Sequence, residues 1–303
     1  MACSNDDRVE SPIQTDNTVL MSDVQHTDSL ILKLKAINED FINAKSHTSE
    51  TRGAIRDFFR AIAIAVADAK GFIAGLKVGL SVLGWVGGVV GGIIGAAVYS
   101  TLAGIQFRAP AFDESTSVNR THIELVVGNV RKDTELQHKM LQACSDVQIN
   151  FPEKFSEVRK VGIYHNSALL SISENSQMNY DELKRLYSKE EMDLLSSECF
   201  NQMFDELEND SNLPFSRTPQ LGEDLSRADE VIDVFLKGFS TFPENMNDVN
   251  DLVNSYIEEI EKDSTISMDE KVVIYSTFST AAYSASFWNR LYNGGDFYHP
   301  HEP

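Results

Sequence analysis

GWVGGVVGGIIGAAVYSTLAGI occupies residues 84–105 of an otherwise polar, acidic chain. The uncharged run is longer still, extending from residue 78 to residue 107 between Lys77 and Arg108. Its glycines recur at every fourth position, with Gly87, Gly91 and Gly95 on one register and Gly84, Gly88 and Gly92 on the adjacent one. Upstream, Gly71, Gly75 and Gly79 repeat the spacing. A glycine inside an isolated helix costs about 1 kcal/mol relative to alanine, so the segment is a poor helix unless something offsets that cost. Glycine at every fourth position clears a groove down one helix face. A second backbone can then approach closely and regain dispersion contacts, as in GxxxG pairs. LSVLGWV, residues 80–86, leaves room for a turn between the two glycine runs. These features predict an antiparallel helical hairpin, 58–82 and 86–106, packed glycine face to glycine face.

Such a hairpin belongs either in a protein core or in lipid. Crossing a bilayer takes ~20 apolar residues, which the second arm supplies. The first arm carries Asp68 and Lys70. Two positions apart, they do not face each other on a helix, and a charge at the centre of a membrane helix costs about 2.5–3.5 kcal/mol. The expected resting state is a hairpin buried among amphipathic helices, with insertion into a bilayer as the alternative.

The flanking sequence supplies those helices. DSLILKLKAINEDFINAK (28–45) has apolar residues at 30, 31, 34, 37, 41 and 42, behind Thr27 or Asp28 as N-cap. Ser188 and Glu191 form a capping-box pattern. Pro110 ends the hairpin, and Pro152 suits the first turn of the next helical stretch. No strand alternation and no long-period repeat is visible, so the expectation is an all-α bundle of about eight helices around the hairpin. Residues 27–298 then form one domain, between a flexible N-terminal tether (1–26) and a disordered tail (299–303). ENDSNLPFSRTPQLG (208–222) is the best interior linker.

Composition narrows function. The formal charge of −20 argues against nucleic acid and against electrostatic attachment to an anionic membrane. His165–Asn166, within the apolar stretch VGIYHNSALLSI, has no marked nucleophile and is expected to be a buried polar pair bonding between helices. His299, His301 and Glu302 do not amount to a preformed metal site beside Pro300, and ENDSN lacks the glycine and glutamate of a calcium loop. No P-loop, GxSxG, HExxH or CxxC occurs. The expectation is a non-catalytic protein without metal or cofactor. Among Cys3, Cys144 and Cys199, none is spaced as a metal pair, and pairing of Cys144 with Cys199 is left open.

The opening MACSNDD resembles a bacterial lipoprotein after signal-peptide removal, with Cys3 as the lipidated residue and the acidic run similar to the surface-export tether of Bacteroidota. The competing reading is an ordinary N-terminus with an incidental cysteine. DSL (28–30) and DST (263–265) resemble the O-glycosylation acceptors of the same phylum. The glycine hairpin, the His-Asn pair and YSASFWNRLY (283–292) together resemble exported, lipoprotein-like helical proteins of Bacteroidota over residues 53–292. The hairpin also resembles the glycine zippers of bacterial envelope proteins and, more loosely, the hydrophobic hairpin of pore-forming colicins. These resemblances imply an exported, lipid-anchored protein of the cell envelope or outer surface. It would act as an interaction or structural module with the membrane as partner, or alternatively as an effector whose hairpin enters a bilayer.

Overall fold

The computed structural model describes residues 28–45, 52–112, 116, 119–174, 183–209, 218–241, 243–295 and 297. Among these are eleven α-helices and no strands. They are α1 Ser29–Lys45, α2 Arg52–Gln106, α3 Arg120–Val130, α4 Thr134–Ala143, α5 Arg159–Ser173 and α6 Leu183–Leu186. α7 Lys189–Leu195, α8 Glu198–Asn209, α9 Ser226–Thr241, α10 Met246–Lys262 and α11 Met268–Tyr292 complete the set. The bundle thus has more helices than the eight expected, chiefly because the region after residue 182 is cut into three short pieces with caps between them. Ser188 and Glu191 form the capping box of α7, and the Ser197 hydroxyl accepts from Phe200 N at the start of α8. Asp28 caps α1, accepting from Leu30 N at 2.9 Å, while Thr27 lies outside the described residues. Pro152 precedes a short 3₁₀ turn, Glu153–Val158, rather than standing inside α5.

α2 is the hairpin. Its helix breaks at Leu83 (φ −134, ψ 15) and Gly84 (φ 60, ψ −148), so the arms are residues 52–82 and 85–106. The arms meet backbone to backbone. A Cβ placed on Gly71 would lie 2.5 Å from the Gly95 carbonyl oxygen, and those on Gly75 and Gly79 would run still deeper into the carbonyls of Gly91 and Gly87. The adjacent register packs on side chains, since a Cβ placed on Gly88 would lie 3.0 Å from Leu80 Cδ2 and one on Gly92 2.5 Å from the Phe72 ring. Gly84 corrects the expectation that it is a packing glycine. A Cβ there would meet nothing within 4 Å, and its positive φ is what the turn requires.

α5 and α11 cover the hairpin most extensively, with α3, α7, α8 and α9 around it and α1 and α10 packed further out. One continuous apolar cluster runs from Leu30 to Phe297. α11 is buried on nearly every face from Val273 to Trp288 although it is rich in hydroxyls. Their hydrogen bonds explain how. Thr277 and Thr280 donate to the carbonyls one turn back, Val273 and Ser276, while Ser286 donates to Asp146 at 2.6 Å. Gly162 of α5 lets that helix lie close on α11, since a Cβ there would be 2.7 Å from Ser279 O.

Burial is uneven along the hairpin. Residues 90–101 are almost wholly enclosed, whereas at the turn Val82 is 38% and Val86 62% exposed. Ile55–Gln106 is long and apolar enough to cross a membrane, and 61% of its most apolar window is buried within the bundle.

Candidate functional site

Three places on this fold carry chemistry: a sealed polar cluster under the hairpin, a groove beside it, and its exposed tip.

The cluster centres on Asp68, the lone carboxylate between residues 58 and 107. It is fully buried. The Ser284 hydroxyl and the Trp288 indole N–H, the latter at 3.2 Å, both donate to Asp68 Oδ2. His165 Nε2 stands 3.6 Å from the same oxygen, too far for a direct hydrogen bond. The tautomer of His165 follows from its neighbours. Asn166 Nδ2 donates to the Tyr283 carbonyl at 2.7 Å, which orients the amide. Asn166 Oδ1 therefore faces His165 Nδ1 at 3.1 Å and can only accept. Nδ1 therefore carries the proton, and Nε2 is left bare, 3.6 Å from Asp68 Oδ2.

Burial dominates both titrations. Loss of solvation pushes the Asp68 carboxyl up to about 7, against the opposing pull of Ser284, Ser100 and Trp288. Ser100 is near enough to favour the charged carboxylate, but its hydroxyl makes no directed hydrogen bond. Desolvation lowers His165 to about 4, against the effect of Asn166 and the Ala96 backbone. At neutral pH the imidazole is therefore uncharged and Asp68 is poised between its two forms. Asp68 Oδ1, Ser100 Oγ and His165 Nε2 are left without hydrogen-bond partners. The order of contacts differs from an acyl-transfer triad, because the serine hydroxyl donates to the carboxylate rather than to the imidazole. The side chains of Asp68, His165, Asn166, Ser284 and Trp288 are all shut off from solvent. This arrangement can hold one proton between the hairpin and its covering helices.

The sequence picked out His165 and Asn166 but not Asp68, Ser284 or Trp288 as their surroundings. A carboxylate isolated in an apolar arm was the available signal. Cys144 lies against the cluster, with Asn166 Nδ2 3.4 Å from its sulfur; burial raises its thiol to about 12. Cys199 is exposed on α8, and both are free thiols, which answers the pairing left open above. Asp28 and Asp263, from the two acceptor-like tripeptides, both pair with Arg227. Cys3, the N-terminal tether, His299, His301, Glu302 and the tail lie outside the described residues. Among the described residues no three His, Cys, Asp or Glu side chains gather to hold a metal ion.

The groove, about 1170 Å³, lies between α8 and α9 over the first hairpin arm. Lys70 and Lys77 enter it from the arm and Lys237 from α9. Desolvation lowers the Lys70 ammonium, and Asp233 opposes that effect. Lys77, Val78 and Ser81, at the end of the groove, lead into the tip around Val82, Trp85 and Val86.

Comparison with known protein families, with curated proteins and with solved structures returns no match.

Proposed function

We propose that this is a non-catalytic protein of the cell envelope, lipid-anchored through Cys3, whose hairpin tip dips into the surface of a bilayer. The observation that carries the membrane contact is the tip itself. Among the described residues, Val82 and Val86 are two of the few large apolar side chains left exposed. They flank a half-buried Trp85 on a turn without charge. Tryptophan favours the headgroup level of a membrane, and Lys77 can extend its ammonium back to water while its stem lies along the apolar surface. Burying an exposed valine side chain contributes about 1.5–3 kcal/mol, so a few such residues give reversible association.

The chain is expected to float with phosphatidylcholine vesicles in a density gradient. Val82→Glu with Val86→Glu should lower the partition coefficient at least about tenfold, since placing charge among lipid costs more than 1.4 kcal/mol. Both sites are exposed, so the helical circular dichroism should not change. Failure of the wild type to float, or equal flotation of the variant, overturns the membrane contact. Encapsulated dye should stay inside the vesicles. Its release would identify instead an effector whose whole hairpin inserts, for which Asp68 must first leave Ser284 and Trp288.

The anchor rests on the MACSNDD pattern. Expressed from its native gene, the protein should incorporate labelled palmitate, and Cys3→Ala should abolish the label. Equal labelling of the two would remove the anchor from the proposal.

A further inference from the structure

We infer that Asp68 and His165 form a catch that acid opens only when the hairpin has an apolar surface to move into. The inference rests on the bilayer contact proposed above for the source of that surface. The two groups belong to different elements. Asp68 sits on the first hairpin arm with Ser100 of the second arm beside it, whereas His165 belongs to α5, and Ser284 and Trp288 to α11. α5 and α11 are the helices that cover the hairpin most extensively. Parting the hairpin from its cover therefore splits the pair, Asp68 leaving with one side and His165 staying with the other.

The immediate neighbours of the pair are uncharged: Ser100, Asn166, Ser284, Trp288 and the Ala96 backbone. Beyond them, the Cys144 thiol at the end of α4 is kept neutral by burial. Asp146 accepts from Ser286, Arg290 donates to the Ala143 carbonyl and Arg159 to that of Ile149. On the other helices around the hairpin, Glu124 pairs with Arg120, Glu191 with Arg131, and Asp233 stands near Lys70. The protons of Asp68 and His165 thus govern the parting. In water the freed Asp68 gives up a proton and the freed His165 takes one, so the two responses to acid oppose each other. Against a bilayer only one remains. Asp68 passes from one apolar surrounding to another and stays neutral, because a carboxylate in lipid is costly. His165, left in water on α5, still gains its proton as the pH falls. At neutral pH the hairpin keeps its cover and only the tip is engaged.

The thiol of Cys144, sealed beside Asn166, reports the parting. Its rate of modification by dithiodipyridine, divided by that of the exposed Cys199, follows the open fraction and cancels the pH dependence of thiol reactivity. In solution the wild-type ratio should change less than about threefold between pH 7.5 and pH 5, since the two groups offset each other. Asp68→Asn leaves His165 unopposed. With His165 at about 4 in the fold and 6.5 outside it, that variant's ratio should rise roughly thirtyfold in solution over the same interval. With phosphatidylcholine vesicles the wild type should show the same rise, and His165→Gln should lose most of it. An Asp68→Asn ratio that ignores acid, or a wild type that responds alike with and without vesicles, overturns the catch. Where the wild type does not float with vesicles at either pH, the membrane reading fails by itself. Micelles of the uncharged detergent dodecyl maltoside then supply the apolar surface; a wild-type rise there supports the catch, and a flat ratio overturns it.

Discussion

Gly75→Leu and Gly91→Leu will each lower the free energy of unfolding by about 3 kcal/mol or more. Overpacking a core usually costs about 1–3 kcal/mol because side chains and neighbouring backbone must shift. Here the obstacle is the opposite arm's own carbonyl group, from Gly91 for a side chain at Gly75 and from Gly75 for one at Gly91. A helix backbone yields far less readily than the end of a side chain, which places the effect at the upper limit. Gly88→Ala provides the contrast. Its Cβ would meet the flexible end of Leu80 at 3.0 Å, and alanine's helix propensity returns about 1 kcal/mol. That variant should stay within about 1 kcal/mol of wild type. Urea unfolding of the three variants decides the matter, and leucine variants as stable as wild type would mean that the arms do not touch.

The second large effect concerns the proton under the hairpin. Asp68 titrates at about 7 in the folded state against 3.8 when exposed. A raised carboxyl pKa means that the folded state binds the proton more tightly, so this group destabilises the fold above pH 7. The loss is recovered as pH falls towards 3.8. At about 1.36 kcal/mol per pKa unit the effect is on the order of 4 kcal/mol. His165 runs the opposite way. Its folded pKa of about 4 lies below the ordinary 6.5, so stability is lost as pH falls from 6.5 to 4, by on the order of 3 kcal/mol. In the wild type the two slopes largely cancel in that window.

Substitution separates them. Asp68→Asn keeps an oxygen to accept from Ser284 and Trp288 but removes the charge. It should be more stable than wild type at pH 8, with the advantage shrinking on acidification. His165→Gln should gain on wild type as pH drops below 6.5. Differences from wild type cancel the titration of the many surface carboxylates. Two flat difference curves between pH 4 and 8 would show that neither group titrates in the fold as its burial requires.

These two features differ in how visible they were before the fold was known. The glycine contacts could be read directly, because a four-residue spacing is a local pattern and an antiparallel hairpin pairs neighbours in sequence. Gly84 was misassigned for the same reason. It shares the spacing of Gly88 and Gly92, and spacing alone does not tell a turn from a packed face. His165 and Asn166 stood out as polar residues in an apolar stretch. Their relation to Asp68 was hidden, because Ser284 and Trp288 reach Asp68 across 216 and 220 residues. The groove was equally hidden, since its walls come from three separated helices whose lysines look like ordinary surface charge. The Ser188 capping box marked where α7 begins, but the break between Leu195 and Glu198 is too brief to show within one apolar pattern, so α7 and α8 read as a single helix and the helix number was underestimated.

The distance in sequence between the hairpin and its cover also has a meaning in time. A ribosome releases the hairpin once Gln106 is made, but α11 is finished only at Tyr292. At roughly 5–20 residues per second, the interval is on the order of 10–40 s, whereas helices and their local contacts form within microseconds. The nascent hairpin therefore lacks, for that interval, the helix that packs on it most extensively, and Asp68 lacks Ser284 and Trp288. Until Tyr292 is made, the face that α11 will cover stays open to whatever lies beside it, whether solvent, another protein or a bilayer.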